Sequence, residues 1–208
     1  MTNNTSSTTA KKYWKIGVCI ILAVGIIACV WFLSHLHDQR RLADLLYLQH
    51  QQRDAILHGE TPAVRVAAIR DMRSDPDVGI LIQALNDEDA DVRIVAAHHL
   101  QGPKASKAAR ALIEALKDRH ISVRKEAAFA LASMGTEIVP ALVEALADPN
   151  PRVRAGTLLA LLEMIHPMLG WIWSPDEVAT IVPAIRPLLH DEDPEVRLLA
   201  KLILQRRP

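Results

Sequence analysis

The pair Val-Arg recurs five times in this chain of 208 residues, as Val64-Arg65, Val92-Arg93, Val123-Arg124, Val153-Arg154 and Val196-Arg197. The intervals between the valines are 28, 31, 30 and 43 residues. Self-similarity at such a period constrains the fold strongly, because each period must be one supersecondary unit that buries its apolar face on its neighbours. Four residues after each Val stand Ala68, Ala96, Ala127, Thr157 and Ala200, and eight after it stand Met72, Leu100, Leu131, Leu161 and Leu204. Spacings of four and eight lie on one face of a helix, so every unit offers the same apolar stripe. The small middle residue lets a neighbouring helix come close.

A second stripe precedes the first. Seven residues before each Val come Leu57, Leu85, Leu116, Leu146 and Leu189; eleven before it, in the last four units, come Leu81, Leu112, Leu142 and Ile185. Between the stripes lies a polar corner such as Asp87-Glu88-Asp89 or Asp148-Pro149-Asn150-Pro151, rich in capping and turn residues. An Asp stands five positions before the Val in the four later units, at Asp87, Asp118, Asp148 and Asp191. The unit therefore reads as helix, tight acidic turn, helix. Composition agrees, since half the chain is hydrophobic but only 4% is aromatic. Leu, Ala, Ile and Val suit close helix packing better than a β-sandwich does.

The pattern Leu-x-x-x-Leu, then Asp, then Val-Arg-x-x-Ala-x-x-x-Leu resembles the HEAT repeat, in the short form of about 30 residues found in the PBS-lyase-like group. The resemblance covers roughly residues 42–205. It implies an all-α chain whose residues 34–208 form a right-handed α-solenoid of about five hairpins, a type of surface that holds a protein partner. It also implies that Arg93, Arg124, Arg154 and Arg197 pair with turn aspartates of their own or the adjacent unit, rather than forming a basic stripe for anionic partners. The first unit, Leu42 to Ser74, departs most, with Gly59 in place of Asp and Arg53 in place of Leu or Ile. It reads as an N-terminal cap.

Ahead of the repeats, Ile16 through Leu33 is a run of 18 residues without a charged or strongly polar side chain. As a helix it extends about 27 Å, close to the roughly 30 Å of bilayer hydrocarbon. Its Ile, Val, Leu and Phe side chains favour insertion by roughly 3–7 kcal/mol. Tyr13 and Trp14 precede the run and Trp31 closes it, as interfacial rings do. Residues 14–33 are thus expected to form a single transmembrane anchor, behind a polar leader at 1–13. A cleaved secretory signal is the competing reading, but no small-x-small site follows the run. Ile26-Ile27-Ala28-Cys29 resembles a lipobox, although Val30-Trp31-Phe32-Leu33 stays apolar where a lipoprotein turns polar. Lys11, Lys12 and Lys15 before the run, against Arg40 and Arg41 after it, place the repeats on the non-cytoplasmic side. The formal charge of +0 divides unevenly, and residues 34–208 carry 21 basic against 24 acidic residues. A slightly acidic body argues against a nucleic-acid partner.

The last interval is longer by about a dozen residues, and the excess falls at Met164–Trp173. Ser174-Pro175-Asp176-Glu177 then has the spacing of a capping box and starts a new helix. Pro183 and Pro187 are expected to kink that helix. Trp171 and Trp173 in the excess segment are the first candidates for partner contact. His98, Phe129 and Leu159 come next, because they share one position in successive second helices. Leu198, Leu199, Leu202 and Ile203 make the final helix apolar where solenoids usually end in a polar cap. Leu198 and Leu202 are therefore further contact candidates, and the basis of an alternative in which copies of the chain self-associate.

No catalytic constellation emerges. His98 and His99 point about 100° apart on a helix and cannot share an ion from it. The His-Glu dipeptides of HEAT-like di-iron hydroxylases are absent from this chain, and no residue argues for a bilin-lyase chromophore site. There is no phosphate loop or nucleophile elbow, and both cysteines, Cys19 and Cys29, lie in the apolar run. The sequence points to a non-catalytic chain without metal or cofactor, and a helical-repeat lyase or hydroxylase is the more distant alternative.

Overall fold

The structure, a computed structural model, describes residues 35, 39, 41–44, 46–72, 77–165 and 174–206. The apolar run at 14–33, Cys29, Trp171 and Trp173 lie outside the described residues. Among the described residues, no single helix is long and apolar enough to cross a membrane. The chain divides into two units, Met1–Gln51 and Gln52–Pro208. In the first, residues 46–51 are helical and expose Leu46, Tyr47 and Leu48, with the Gln51 amide donating to the Tyr47 hydroxyl.

Among the described residues, the second unit contains five hairpins. Residues 52–58 and α1 (Pro62–Arg70) form the first; α2 (Val78–Ala84) and α3 (Ala90–His99) the second; α4 (Ala109–Ala115) and α5 (Ile121–Ser133) the third. The fourth is α6 (Val139–Ala145) with α7 (Pro151–Met164), and the fifth α8 (Pro175–Ile185) with α9 (Pro194–Arg206). Successive second helices α1, α3, α5, α7 and α9 pack on one another, and the short first helices α4, α6 and α8 pack in the same order. This is a nearest-neighbour stack, the arrangement that the periodicity requires.

Caps explain the element boundaries. Thr61, Asp89 and Asn150 accept first-turn N–H groups of α1, α3 and α7, and the Asp193 carboxylate accepts those of Glu195 and Val196 at the start of α9. Ser174 and Glu177 form the expected capping box. Each satisfies donors that a helix start leaves open. Gly102 and Gly135 take positive φ, 89° and 88°, where the chain leaves α3 and α5 for the next unit. The Gly102 N–H donates to the Ser133 hydroxyl, tying that link to the following hairpin.

The stripe holds in the middle of the stack and slides at its ends. Val92, Ala96, Leu100, Val123, Ala127, Leu131, Val153 and Leu161 are fully buried, with Leu81, Leu112, Leu142 and Ile185 from the first helices. In the first hairpin, Val64 is instead 46% exposed, and Arg65 and Ile69 are the buried residues of α1, with Ala68 and Met72 half-buried. Its core position on the first helix is Ile56 rather than Leu57. In the last hairpin Ile203 is fully buried and Leu204 only partly, and Leu188 is more buried than Leu189. Ile203 is thus core, not docking surface. The proline pair also acts differently from the expected kink: α8 ends at Ile185 and a 3₁₀ turn, Arg186–His190, carries Pro187. Pro183 and Pro187 together remove the donors that would continue an α-helix.

Thr157 interrupts the small-residue row. It is fully buried where other units have alanine, and its hydroxyl has no hydrogen-bond partner. Replacement by valine keeps the shape and removes an orphaned polar group. Thr157→Val should therefore stabilise the protein by about 1 kcal/mol and raise the thermal midpoint by roughly 2–4 °C. A lower midpoint in calorimetry would mean that the hydroxyl is satisfied.

Candidate functional site

The turns are joined by a ladder of buried ion pairs. Arg65 Nε and Nη2 grip Asp87 of the next unit at 2.7 and 2.8 Å; Arg93 grips Asp118 at 2.7 and 3.2 Å; Arg154 grips Asp191 at 2.8 and 2.7 Å. In all five units the Arg Nη1 also donates to the carbonyl six residues back, at Gly59, Asp87, Asp118, Asp148 and Asp191. Asp87, Asp118 and Asp191 then have two tasks: the carbonyl orients the unit's own arginine, and the carboxylate receives the preceding unit's. Gly59 keeps only the first task, having no side chain to receive an arginine, and a Cβ there would lie 2.5 Å from the Ala55 carbonyl oxygen. The repeating arginine is therefore structural at three junctions. The expectation of a carboxylate for every arginine fails twice, however. Among the described residues Arg124 and Arg197 bind carbonyls and no carboxylate, and Asp148 stands 3.8 Å from Lys117 Nζ instead.

These pairs set an acid limit on stability. Burial raises the Asp87 and Asp118 carboxyls, but the Arg65 and Arg93 forks and the N–H groups of Asp89 and His120 outweigh it, so both sit below the usual 3.8. The Arg154 fork is the largest influence on Asp191 and lowers it too, against burial. Carboxyls depressed in the folded state bind fewer protons than in the unfolded chain, so their contribution is intact above the unfolded value and is lost as pH falls through the folded ones. Stability should decline from about pH 4 downward. Asp118→Asn should be less stable at neutral pH yet lose less on acidification, as pH-dependent urea midpoints would show. Parallel curves would count against this origin.

The second helices carry the row expected to meet a partner. His98 is exposed at the end of α3, and its Nδ1 lies 2.8 Å from Glu126 Oε1 on α5, where Gln101 also donates at 2.9 Å. Its ring meets His99 edge-on at 5.8 Å. Phe129, one turn beyond Glu126, is 40% exposed. Gly156 on the next second helix packs against Leu116, whose Cδ2 would lie 2.7 Å from a Cβ there. Leu159 is half-buried and packs against the core, so it is only partly available. On α9 Leu198 is 57% exposed and Leu202 half-buried. The row is thus polar at His98 and becomes apolar towards Phe129, Leu159 and Leu202. The His98–Glu126–Gln101 contact was not foreseeable from one repeat alone. It needs the offset between neighbouring units, which the Val-Arg period supplies once the stacking order is known.

Residues 76–162 and 109–178 match the family model described as HEAT repeats. Residues 76–178 are HEAT repeats. The archaeal HEAT-like repeats protein from Thermococcus onnurineus NA1 has the same kind of fold at 19% identity, with a TM-score of 0.50 over 74% of this chain and 69% of that one. An engineered protein, 22% identical over 74% of this chain and 78% of its own, gives a TM-score of 0.42. The CpcE–CpcF complex of phycocyanin lyase from Nostoc sp. PCC7120 gives 0.33 at 21% identity, over 71% and 68% of the two chains. No curated protein matches this chain in sequence. The repeat units set these side chains at a regular register, apolar at Phe129 and hydrogen-bonding at His98 and Glu126.

Proposed function

We propose that this chain is a non-catalytic, membrane-anchored HEAT-repeat scaffold that holds a protein partner along its second helices. The observation that carries the reading is Phe129, a large aromatic side chain left 40% exposed in the middle of a row shared by successive packed helices. Aromatic anchors on rigid elements are the usual centres of protein recognition. Membrane attachment is supported by the uncharged run Ile16–Leu33, with the repeats on the non-cytoplasmic side. Crosslinking the full-length protein in its native membrane, followed by affinity capture, tests this. Phe129→Glu should lose the captured partner while keeping the helical circular-dichroism signal. A variant that loses helix and partner together would place Phe129 in the core and remove the main support for the reading.

Self-association through the last helix is the second reading, favoured by Leu198 at 57% exposed. Sedimentation of the full chain in detergent separates the two. A Leu198-dependent dimer at micromolar concentration supports the second, and a monomer the first.

A further inference from the structure

The Arg–Asp ladder is closed at three junctions and open at one. Arg65, Arg93 and Arg154 each grip the next unit's aspartate through Nε and Nη2, whereas Arg124 grips no carboxylate among the described residues. The arginine itself is set no differently. Its Nη1 rests on the Asp118 and Arg119 carbonyls at 2.9 and 3.3 Å, as Arg154 Nη1 rests on those of Asp148 and Pro149 at 2.9 and 3.1 Å. The difference lies around the acceptor. Asp148 is the most exposed of the four ladder aspartates, its side chain 20% accessible against 12% or less in the others. Its carboxylate accepts the Asn150 N–H at 2.8 Å and stands 3.8 Å from Lys117 Nζ. Lys117 is itself tied to Glu114 at 2.8 Å, and the units whose arginines close have His58, Asn86 and Ala147 at its position.

Apolar packing resists the separation of two hairpins but has no preferred direction, whereas a two-bond clamp fixes their geometry. At the third junction the packing is complete: Ala127 and Leu131 on α5, with Val153 and Leu161 on α7, are fully buried. Only the clamp at the turn end is missing. We infer that the junction between the third and fourth hairpins is a hinge in the solenoid, latched when Asp148 leaves Lys117 for Arg124. The turns splay while the far ends of the packed helices stay together, a small motion of the hinge-and-shear kind. Phe129 and Leu159 lie on opposite sides of this junction, on α5 and α7, so the latch sets the spacing within the row that faces a partner. That consequence rests on the protein-partner reading. The hinge is measured on the chain alone, so either can fail without the other.

The test places pairs of spin labels at one repeat position of the full-length chain in detergent, with Cys19→Ser and Cys29→Ser removing the native thiols. Ala63→Cys with Ser122→Cys spans two clamped junctions, and Asp91→Cys with Arg152→Cys spans one clamped junction and the open one. All four positions are exposed, and two helix spacings put each pair about 20 Å apart. Double electron–electron resonance should give a distance distribution at least twice as wide for the 91–152 pair as for the 63–122 pair. Lys117→Asn gives the third unit the asparagine that the second has at Asn86 and frees Asp148 for Arg124. It should narrow the 91–152 distribution to the control width. Nitrogen-15 spectra of the arginine side chains give a second reading. Slowly exchanging Nε–H signals are expected for Arg65, Arg93 and Arg154, joined by Arg124 only in Lys117→Asn. Equal widths with Lys117 in place, a width that Lys117→Asn leaves unchanged, or an Arg124 Nε–H protected without that substitution would overturn the hinge.

Discussion

Arg93→Ala should destabilise the protein by about 3–5 kcal/mol, because it strands a buried carboxylate rather than merely deleting a surface contact. Arg93 and Asp118 are 7% and 12% exposed, and the arginine also serves the Asp87 and Glu88 carbonyls at 2.7 and 3.0 Å. The informative comparison is Arg124→Ala, at the same position one unit later. With no carboxylate to strand, it should cost less than about 1 kcal/mol. Urea unfolding of both variants checks the difference. Similar losses would mean that Arg124 closes onto Asp148 in solution.

Leu131→Ala should cost about 3–5 kcal/mol, near the upper range for a buried leucine. The residue is fully buried on α5, which is packed between α3 and α7, so neither neighbour can collapse into the space without leaving its other partner. Leu204 occupies the same place in the repeat but is only partly buried at the end of the stack. Its truncation should cost about 1 kcal/mol. Thermal unfolding that found the two equal would show that the burial gradient along the stack has little energetic weight.

The contrast between Leu131 and Leu204 also describes what the sequence could disclose. Spacings of four and eight after Val-Arg locate the core wherever a hairpin has neighbours on both sides, as at Val92, Val123 and Val153. They mislead at Val64, because a periodic pattern records which positions are equivalent and not whether a neighbour is present. The aspartates were legible as turn residues, but their double duty, carbonyl to their own arginine and carboxylate to the previous one, depends on a fold-level offset. The same offset hides the His98–Glu126 contact. Leu159 looked equivalent to Phe129 by register, yet its smaller side chain packs down against the core. Trp171 and Trp173 fall outside the described residues and stand as sequence expectations only.

The second hairpin carries both halves of the ladder, receiving Arg65 on Asp87 and giving Arg93 to Asp118, whereas the third receives only and the fourth donates only. The second is thus a self-contained cassette, and a duplicate of it in the gene would re-form the junction without any compensating point mutation. The Gly59 hairpin cannot play that part. It can donate through Arg65 but cannot receive, so a copy inserted further along would break the series. Growth of such an array is therefore directional, open behind the first hairpin and closed ahead of it.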